Sequence, residues 1–451
     1  MDVNTWRTSE KVIKKSQKHY AHFDYRTSLA DQWEYISIPE NVAKHGFYPF
    51  IHYTQKSDKF NPATKKKKPK SREICYAAHI DSCIYQYYSF LLNELYNQRV
   101  GHDGISDVPV AYRTDLGKNN VHFAKAAIDF IRQCKSCYVM IGDFTNFFDN
   151  LDHQYLKMRW CDLLGFKYLP PDHYTVFKNI TRYSTWERED LLAINQLNDT
   201  PAGIRELNAK NKVLTDAQFH ENKSQIKPKS KDEPYGIPQG SPISATLANV
   251  YMLDADNQIA ALVRKHNGFY MRYSDDFMIV VPIYDGYNAK EILGAAREII
   301  ASIPNVTLQP EKTQYFYYTA PLLHNCSKEV DKFADDKNKV INFLGFSFDG
   351  TNVTVRPKTI TKYYYRMHRK GKTIAKLRGV SPKGKHISNR NIYEKYSERG
   401  AYGKHGNFLT YIERADTIFA DEQNITRDTR RHMQKIRNVI TPSTKKEPPS
   451  N

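Results

Sequence analysis

Long apolar runs are missing from this sequence of 451 residues. No stretch of about 18 apolar residues is available to cross a bilayer. The first residues, "MDVNTWRTSEKVIKKSQK", contain no apolar segment of the kind that signal peptides carry. We therefore expect no membrane partner, no secretory leader and a cytoplasmic location.

Cysteine is also scarce, with six residues in the whole chain. Their spacing forms no disulfide framework, which is typical of proteins from a reducing compartment. One CxxC occurs, "CKSC" at 134–137, but no second cysteine pair and no histidine pair stand near it. We therefore expect neither a zinc site nor redox chemistry there.

Negative charge is outnumbered in this chain. Lysine and arginine total 67 against 49 acidic residues, a formal net charge of +18. Such a surplus attracts polyanions, usually nucleic acid, although a basic surface can also serve solubility alone. Hydrophobic residues reach 40%, enough for a globular core, and at about 100–200 residues per domain the length allows two or three domains.

Two adjacent carboxylates, Asp275 and Asp276, interrupt the apolar stretch "FYMRYSDDFMIVV" at 269–281. Strand-like residues on both sides predict a β-hairpin with the acids at its turn. Asp143 ends another predicted strand, in "CYVMIGDFTNFFDNLDH" at 137–153. Unpaired buried charge costs several kcal/mol or more, so a positive partner is needed. A solvated turn is the alternative, but the apolar flanks argue against it.

Three carboxylates that meet at a strand end and a hairpin turn offer hard oxygen ligands suited to Mg²⁺. Two such ions can activate a 3′-hydroxyl and stabilise a leaving pyrophosphate. This interpretation requires the strand end and the turn to be neighbours in an antiparallel sheet.

Helical periodicity and turn signals organise the rest of the chain. Helices are predicted in "HIDSCIYQYYSFLLNELYNQRV", "NNVHFAKAAIDFIRQC" and "NAKEILGAAREIIASI". The turn "GIPQGSP" precedes another helix, which we expect Ser241 to cap with Pro242 in the first turn. We expect Asp149 to cap the helix after "FFDN". From about residue 356 onward the chain is basic and helical in pattern.

The order of these motifs resembles that of a known family. "IGDFTNFFDNLDH", "GIPQGSPISATLANVYM", "RYSDDFMIV", "LQPEKT" and "NFLGFSF" follow one another like the palm motifs of reverse transcriptases, and "KSREICYAAHIDSCIYQYY" resembles their fingers motifs. The resemblance spans about 65–350. It implies an α+β right-hand polymerase with fingers, a palm of antiparallel sheet packed on helices, and a helical thumb. The implied domains are 1–64 N-terminal extension, 65–136 fingers, 137–350 palm with an insert at about 166–232, 351–440 helical basic thumb, and 441–451 disordered tail.

The resemblance assigns metal ligands. Asp143 would hold two Mg²⁺ ions, with Mn²⁺ as the alternative metal, and the carbonyl of Phe144 would complete a shell. Asp275 would be the direct ligand of the turn, with Asp276 supporting it from outside the coordination shell. Lys312 would protonate the leaving pyrophosphate, or it is only a surface charge.

Nucleotide-binding residues follow from the same resemblance. Lys70 and Arg72 match residues that grip the incoming triphosphate, and Gln239 would contact the nascent pair. Phe148 stands at the steric gate, where a bulky ring excludes a ribose 2′-hydroxyl and predicts dNTP over NTP; a core aromatic is a compatible reading. The lysines at 65–68 are expected to form a solvated basic loop near nucleic acid, with a nuclear address as the weaker interpretation.

A further set of residues is expected to contact template and primer. It includes the turn at "QG", the hairpin "FLGF" of the primer grip and the basic patch of the thumb. "AYR", with Tyr112 and Arg113, resembles an element near the template or nucleotide. The template and primer residues are Gly240, Ser241, Tyr273, Phe343, Leu344, Gly345, Arg366, Arg369 and Lys370.

Within the family the chain resembles bacterial reverse transcriptases of the unknown-group, abortive-infection, defence-associated class, with a palm of the retron and group II intron type. We find no RNase H or integrase carboxylate set and no HNH-like pattern. The resemblance implies an RNA template, a cognate non-coding RNA, dNTPs and a DNA product, with a homo-oligomer or a partner defence protein. Three alternatives stay open: template-independent or protein-primed DNA synthesis, RNA-dependent RNA synthesis, which Phe148 disfavours, and an RNA-binding, maturase-like scaffold.

Overall fold

The fold is known from a computed structural model of the chain. It describes residues 1–61, 66–286, 288–330, 336–377, 380, 390–403 and 406–440. The predicted disordered tail at 441–451 and Lys65 of the lysine tract lie outside these residues. In the described ranges no helix is long and apolar enough to span a membrane.

Short helices and two antiparallel strand pairs, one enclosed by the other, precede a long helix in the first part of the chain. Asp24 accepts hydrogen bonds from the backbone N–H groups of His79 and Ile80, and so satisfies the start of the long helix from outside. The elements are α1 Val3–Thr8, α2 Glu10–Ser16, α3 Trp33–Ile36, α4 Pro39–Ala43, β1 Phe50–Thr54, β2 Ser57–Asn61, β3 Lys66–Lys70, β4 Glu73–Tyr76 and α5 His79–His102.

The lysine tract was predicted as a loop, and this is wrong from Lys66 onward. Lys66–Lys70 is strand β3, which pairs antiparallel with β2 from Asn61↔Lys66 to Ser57↔Lys70. The pairing satisfies backbone groups that a solvated loop would leave to water. Sequence composition could not show this because the partner strand, "SDKFN", is itself polar.

An amphipathic helix at the end of the predicted fingers precedes the buried strand with which the predicted palm begins. The helix buries Val121, Ala124 and Ile128 on one face, as the periodicity predicted. The elements are α6 Asn120–Cys134, β5 Ser136–Asp143, α7 Phe147–Asn150 and α8 His153–Leu164.

The predicted insert joins a sheet that the first part of the chain begins. Its strand β6 pairs parallel with β1 and antiparallel with β7, which gives the order β4-β1-β6-β7. Trp186, Leu191 and Leu207 of this region share a core with Phe23 and Ile51. The elements are α9 Pro171–Thr181, β6 Ser184–Glu187, α10 Arg188–Ile194, α11 Pro201–Ala209, α12 Asp216–Asn222, a 3₁₀ helix Lys223–Gln225 and β7 Lys227–Pro228.

The central sheet has the order β11-β10-β5-β9-β8, and all its neighbouring strands are antiparallel. The strand β5 lies in the middle, between β10 and β9. This placement puts the end of β5 beside the start of β9. The additional elements are α13 Ser244–Arg264, β8 Phe269–Tyr273, β9 Asp276–Pro282, α14 Ala289–Ser302, β10 Gln314–Thr319, β11 Leu322–Asn325 and α15 Ser327–Val330.

Both faces of the central sheet are covered at β5 and β9, which explains why these two strands are apolar at nearly every position. Met140 and Ile279 belong to the core that includes residues of α5, α8 and α13. Their neighbours Val139 and Val280 belong to a second core, with residues of α6 and the C-terminal strands. Successive strand residues point to opposite faces, so burial on both sides removes the polar alternation.

A small sheet of order β12-β13-β14 leads into the helical C-terminal region. The long helix α16 buries Ile360, Tyr363, Met367 and Ile374 along one face. The elements are β12 Ile341–Phe343, β13 Phe346–Phe348, β14 Val353–Val355, α16 Pro357–Lys376, α17 Arg390–Tyr396, α18 Glu398–Ala401, α19 Phe408–Ile418, a 3₁₀ helix Arg427–Thr429 and α20 His432–Ile440.

Candidate active site

The three predicted carboxylates lie together at one end of the central sheet. Tyr273 pairs with Asp276 across the β8–β9 hairpin, so Ser274 and Asp275 form its two-residue turn. Asp143, the last residue of β5, is the direct Cα partner of Asp276. The sheet register therefore places Asp143 opposite Asp276, and Asp275 lies in the adjoining turn.

Backbone hydrogen bonds fix this end of the sheet. The N–H of Phe144 donates to the carbonyl of Asp275 at 3.3 Å, which ties the end of β5 to the turn. The N–H of Gln309 donates to the carbonyl of Asp143 at 2.8 Å. The acids are thus held by main-chain contacts from two different segments, which makes their spacing a property of the fold.

The acids repel one another in this arrangement. Although Asp276 is exposed at the surface, desolvation of its carboxyl by the surrounding protein, followed by the charges of Asp275 and Asp143, raises its pKa to about 7. Lys312 acts in the opposite direction, and its ammonium makes an ion pair with Asp143. Asp143 itself is only 8% exposed. The site therefore concentrates negative charge that Lys312 and the more weakly acting Arg356 offset only in part.

The donor set fits divalent cations by its chemistry, since carboxylate oxygens are the ligands that Mg²⁺ prefers. A bound cation would relieve the repulsion that raises the pKa of Asp276. As the side chains stand, no group of three acidic, histidine or cysteine residues in the described part of the chain is close enough to hold an ion. The side chains of the turn would have to close around a metal, with Lys312 moving off Asp143.

A glycine next to Asp143 allows the sheet to pack at this point. Gly142 is the pairing partner of Phe277, and a Cβ built on Gly142 would lie 2.2 Å from the Phe277 ring. That ring stacks on Phe144 at a centroid distance of 5.4 Å. Any side chain at this position would displace the ring and the segment that carries Asp143.

Phe148 lies on α7, just after the β5 carboxylate. Its ring is partly buried against the core and makes an edge contact with Phe147 at a centroid distance of 5.7 Å. The position is compatible both with a steric gate and with a core aromatic, as the sequence suggested. Its carbonyl accepts a hydrogen bond from Ile237, which connects α7 to the turn before α13.

Gln239 contacts Asp149, the residue that follows Phe148. Its side-chain amide donates to the Asp149 carboxylate at 3.2 Å, and its backbone carbonyl accepts from the N–H of Cys75. The predicted cap by Asp149 is wrong: Asp152 caps α8 by accepting from the N–H of Tyr155. The single-turn helix α7 ends two residues earlier, so Asp149 is too far from the start of α8.

Gly240 has φ +117° and approaches β4 closely. A Cβ there would lie 2.5 Å from the carbonyl oxygen of Cys75. The predicted cap by Ser241 is wrong, because a further turn follows Gly240 and α13 begins at Ser244, whose hydroxyl donates to the carbonyl of Pro238. The Ser241 hydroxyl is buried without a hydrogen-bond partner in the described structure.

The predicted triphosphate-gripping residues lie on the β2–β3–β4 segment. Arg72 is exposed, and its backbone exchanges hydrogen bonds with Gln55 just before β4. Lys70 ends β3 opposite Ser57. Both residues therefore lie on the hairpin segment that leads to Cys75, the partner of Gln239.

The predicted primer grip is a tight turn between β12 and β13. Phe343 pairs with Phe346, so Leu344 and Gly345 form the turn. The carbonyl of Leu344 accepts from the Asn120 side chain at 2.9 Å, and that of Gly345 accepts from the N–H of Arg356. The turn is thus held between α6 and the start of α16.

The predicted basic patch lies on the solvent face of α16. Arg366 and Arg369 are exposed, and Lys370 is partly buried. Burial, with a smaller contribution from Lys395, lowers the pKa of Lys370. The two arginines are three residues apart on the exposed side of the helix, a spacing that allows them to act together.

A buried ion pair behind the turn was not predicted. Arg272 and Asp256 are each 0% exposed, and the guanidinium donates to both carboxylate oxygens at 2.6–3.1 Å. The same guanidinium donates to the carbonyl of Ser274 at 3.1 Å. The signal was present in "FYMRY", where an arginine interrupts an apolar strand, but it did not identify the partner on α13.

The residues of "AYR" separate in the structure. Arg113 is buried, and its guanidinium pairs with Asp115 at 2.6 Å and donates to the carbonyl of Ser106 at 2.9 Å. Tyr112 is 48% exposed, and its hydroxyl lies 3.0 Å from that of Ser274 in the acidic turn. Only the tyrosine therefore borders the site.

The CxxC holds free thiols. Hydrogen bonding with Cys137 lowers the pKa of Cys134. Within the described residues, the two cysteines belong to no cluster of three side chains that could hold a metal ion.

Comparison with known proteins identifies the family of the chain. The family model for "Reverse transcriptase (RNA-dependent DNA polymerase)" matches residues 66–348 of the 451. The chain belongs to the reverse transcriptase family. Membership confirms the predicted family and, together with the antiparallel central sheet and its packed helices, the α+β right-hand fold. No curated protein matches the chain.

Two solved structures are distant neighbours of this reverse transcriptase chain. One is apo telomerase from Candida tropicalis truncated from the C-terminal domain, at 11% identity and a TM-score of 0.43, covering 73% of this chain and 61% of that one. The other is telomerase from Candida albicans with a TWJ fragment of telomeric RNA, at 12% identity and a TM-score of 0.36, covering 91% and 63%. The chain thus spans less than two thirds of either telomerase chain.

Proposed function

We propose that the protein is an RNA-directed DNA polymerase that works with two divalent cations, Mg²⁺ or Mn²⁺. The observation that carries this proposal is the pairing of Asp143 with Asp276 beside Asp275 in the hairpin turn. Family membership supports the substrate class, dNTPs copied on an RNA template.

The residues of the site have separate roles in this proposal. Asp143 and Asp275, with the carbonyl of Phe144, would hold the ions, and Asp276 would support them from outside the coordination shell. Bound there, the ions would supply activation of the 3′-hydroxyl and stabilisation of the leaving pyrophosphate. Lys312, which makes an ion pair with Asp143, would donate a proton to the leaving pyrophosphate.

Primer extension tests this proposal directly. The purified protein, given an RNA template with an annealed DNA primer, Mg²⁺ and dNTPs, should elongate the primer, and a chelator should stop elongation. A protein that binds the duplex but adds no nucleotide under any of these conditions would instead be an RNA-binding scaffold.

Sugar selection tests the assignment of Phe148. Phe148→Ala should lower the preference for dNTP over NTP by roughly 10- to 200-fold, since the ring no longer fills the space of a 2′-hydroxyl. The measurement is kcat/KM for single incorporation of each nucleotide. Phe166→Ala, at a 57% exposed phenylalanine outside the site, is the matched control. Unchanged discrimination in Phe148→Ala would leave the ring as a core residue only.

The thumb patch should bind the nucleic-acid backbone. Arg366→Gln with Arg369→Gln should weaken duplex binding and reduce the slope of log K against log salt by about 2, because about one counterion is released for each phosphate contact. Arg205→Gln, at an exposed arginine on α11, is the control. A slope equal to that of the wild type would show that the patch is only a solvated helix face.

We further propose that this polymerase acts in the bacterial cytoplasm in antiphage defence, with a cognate non-coding RNA as template and with a second copy or a defence protein as partner. The support is the resemblance of its motifs and of the insert "FKNITRYSTW" to defence-associated reverse transcriptases. Sequencing of RNA that co-purifies with the protein should return one dominant species, and phage protection should be lost in Asp275→Asn. A random RNA population together with unchanged protection would contradict this role.

A further inference from the structure

The hairpin turn that carries Asp275 has an unfavourable backbone conformation. Ser274 has φ +63°, and Tyr112, which faces it, has φ +64°. Residues with a Cβ rarely adopt this left-handed region, and bulky ones least of all. Such conformations persist where surrounding contacts enforce them, and they occur most often at functional sites.

A closed ring of hydrogen bonds enforces the conformation of this turn. The hydroxyls of Tyr112 and Ser274 are 3.0 Å apart, and the carbonyl of Ser274 accepts from Arg272 at 3.1 Å. Arg272 also donates to Asn249 at 3.2 Å, and the Asn249 amide donates to the carbonyl of Ala111 at 3.0 Å. Because Ala111 precedes Tyr112, the ring returns to its starting point.

The segment that carries Tyr112 is itself docked on the hairpin. The N–H of Val110 donates to the carbonyl of Arg272 at 3.0 Å, and the N–H of Arg272 donates to the carbonyl of Val108 at 2.8 Å. Tyr112 therefore extends from a segment paired with the outer edge of β8. Among the side chains of this hydrogen-bond ring, Asn249 and Arg272 are buried, so the Tyr112 hydroxyl is the one that reaches the turn from the solvent side.

We propose that Tyr112 is a positioning residue, whose hydroxyl holds Ser274 and thereby sets the place of Asp275 relative to Asp143. The proposal rests on the polymerase activity proposed above. Asp275 is the next residue after Ser274, so movement of the turn moves its carboxylate directly. Displacements of about 1 Å at a reacting centre can lower rates strongly, while substrate binding elsewhere in the cleft is retained.

Two substitutions remove the same hydrogen bond from opposite sides. Tyr112→Phe keeps the aromatic side chain without its hydroxyl, and Ser274→Ala keeps the backbone of the turn without the serine hydroxyl. Each should lower kcat for single-nucleotide addition to a pre-annealed primer by about 3- to 10-fold, the range expected for loss of one neutral hydrogen bond. KM for the dNTP should change less than kcat.

The double variant supplies the decisive measurement. If the two hydroxyls act through one bond, Tyr112→Phe with Ser274→Ala should be no slower than either single variant. The melting temperature should stay at the wild-type value, since the Tyr112 ring is half exposed. Tyr168→Phe, at a 70% exposed tyrosine away from the turn, is the control and should leave kcat unchanged.

Three outcomes would overturn the assignment: an unchanged kcat in Tyr112→Phe, multiplicative losses in the double variant, or a fall in kcat that merely follows a fall in melting temperature. Failure of the polymerase proposal would look different, because the wild-type protein itself would then add no nucleotide.

Discussion

Asp143→Asn and Asp275→Asn should each lower the rate of nucleotide incorporation by at least about 10³-fold, which corresponds to roughly 4 kcal/mol of transition-state stabilisation. The amide keeps the size of the carboxyl group but loses the charge that a divalent cation requires. Asp143 is the end of the central strand, and Asp275 is held by its backbone contact to Phe144. The fold should therefore survive both changes. The measurement is single-turnover primer extension at saturating Mg²⁺.

The three acids should differ in their effects. Asp276→Asn is expected to cost less than Asp275→Asn, because Asp276 is assigned a supporting role outside the coordination shell. Asp285→Asn provides the matched control, since Asp285 is exposed just beyond the far end of β9, the strand that begins with Asp276. A variant at Asp143 or Asp275 that kept a tenth of the wild-type rate would remove that residue from the metal site.

Arg272→Met should destabilise the protein by about 3–5 kcal/mol, the cost of leaving one partner of a buried ion pair alone. Asp256 lies at 0% exposure and also accepts a hydrogen bond from Tyr270 at 2.8 Å. Without the guanidinium, the Asp256 carboxylate would stay buried, and within the described residues the Tyr270 hydroxyl would be its remaining hydrogen-bond donor. The free energy of unfolding from urea titration measures the effect.

A surface arginine shows what the same substitution costs without burial. Arg264 is 43% exposed and pairs with Asp107 at 2.7 Å, so Arg264→Met should cost about 1 kcal/mol or less. Replacing both buried partners, Arg272→Met with Asp256→Leu, should recover part of the lost stability because no isolated charge remains. Equal losses at Arg272 and Arg264 would contradict this account of the pair.

Local patterns were sufficient for the acids and for the long helices. An acid after a buried strand and two acids between strand-like halves identified Asp143, Asp275 and Asp276, because strand ends and hairpin turns are local features. Helices α5, α6 and α14 followed from apolar periodicity, which depends on one face of one element. The order of the motifs was specific enough to identify the family before any contact was known.

Tertiary structure alone decided which distant segments meet. The pairing of β6 with β1, the ion pair of Arg272 with Asp256, and the contact of Tyr112 with Ser274 join residues far apart in the chain. The start of α13 at Ser244 depends in turn on the close approach of Gly240 to β4. Sequence determined which residues could do chemistry, since residue type and local spacing carry that information. Packing decided what holds these residues in place, because a contact depends on the relative position of two segments, and the local sequence of one segment does not determine it.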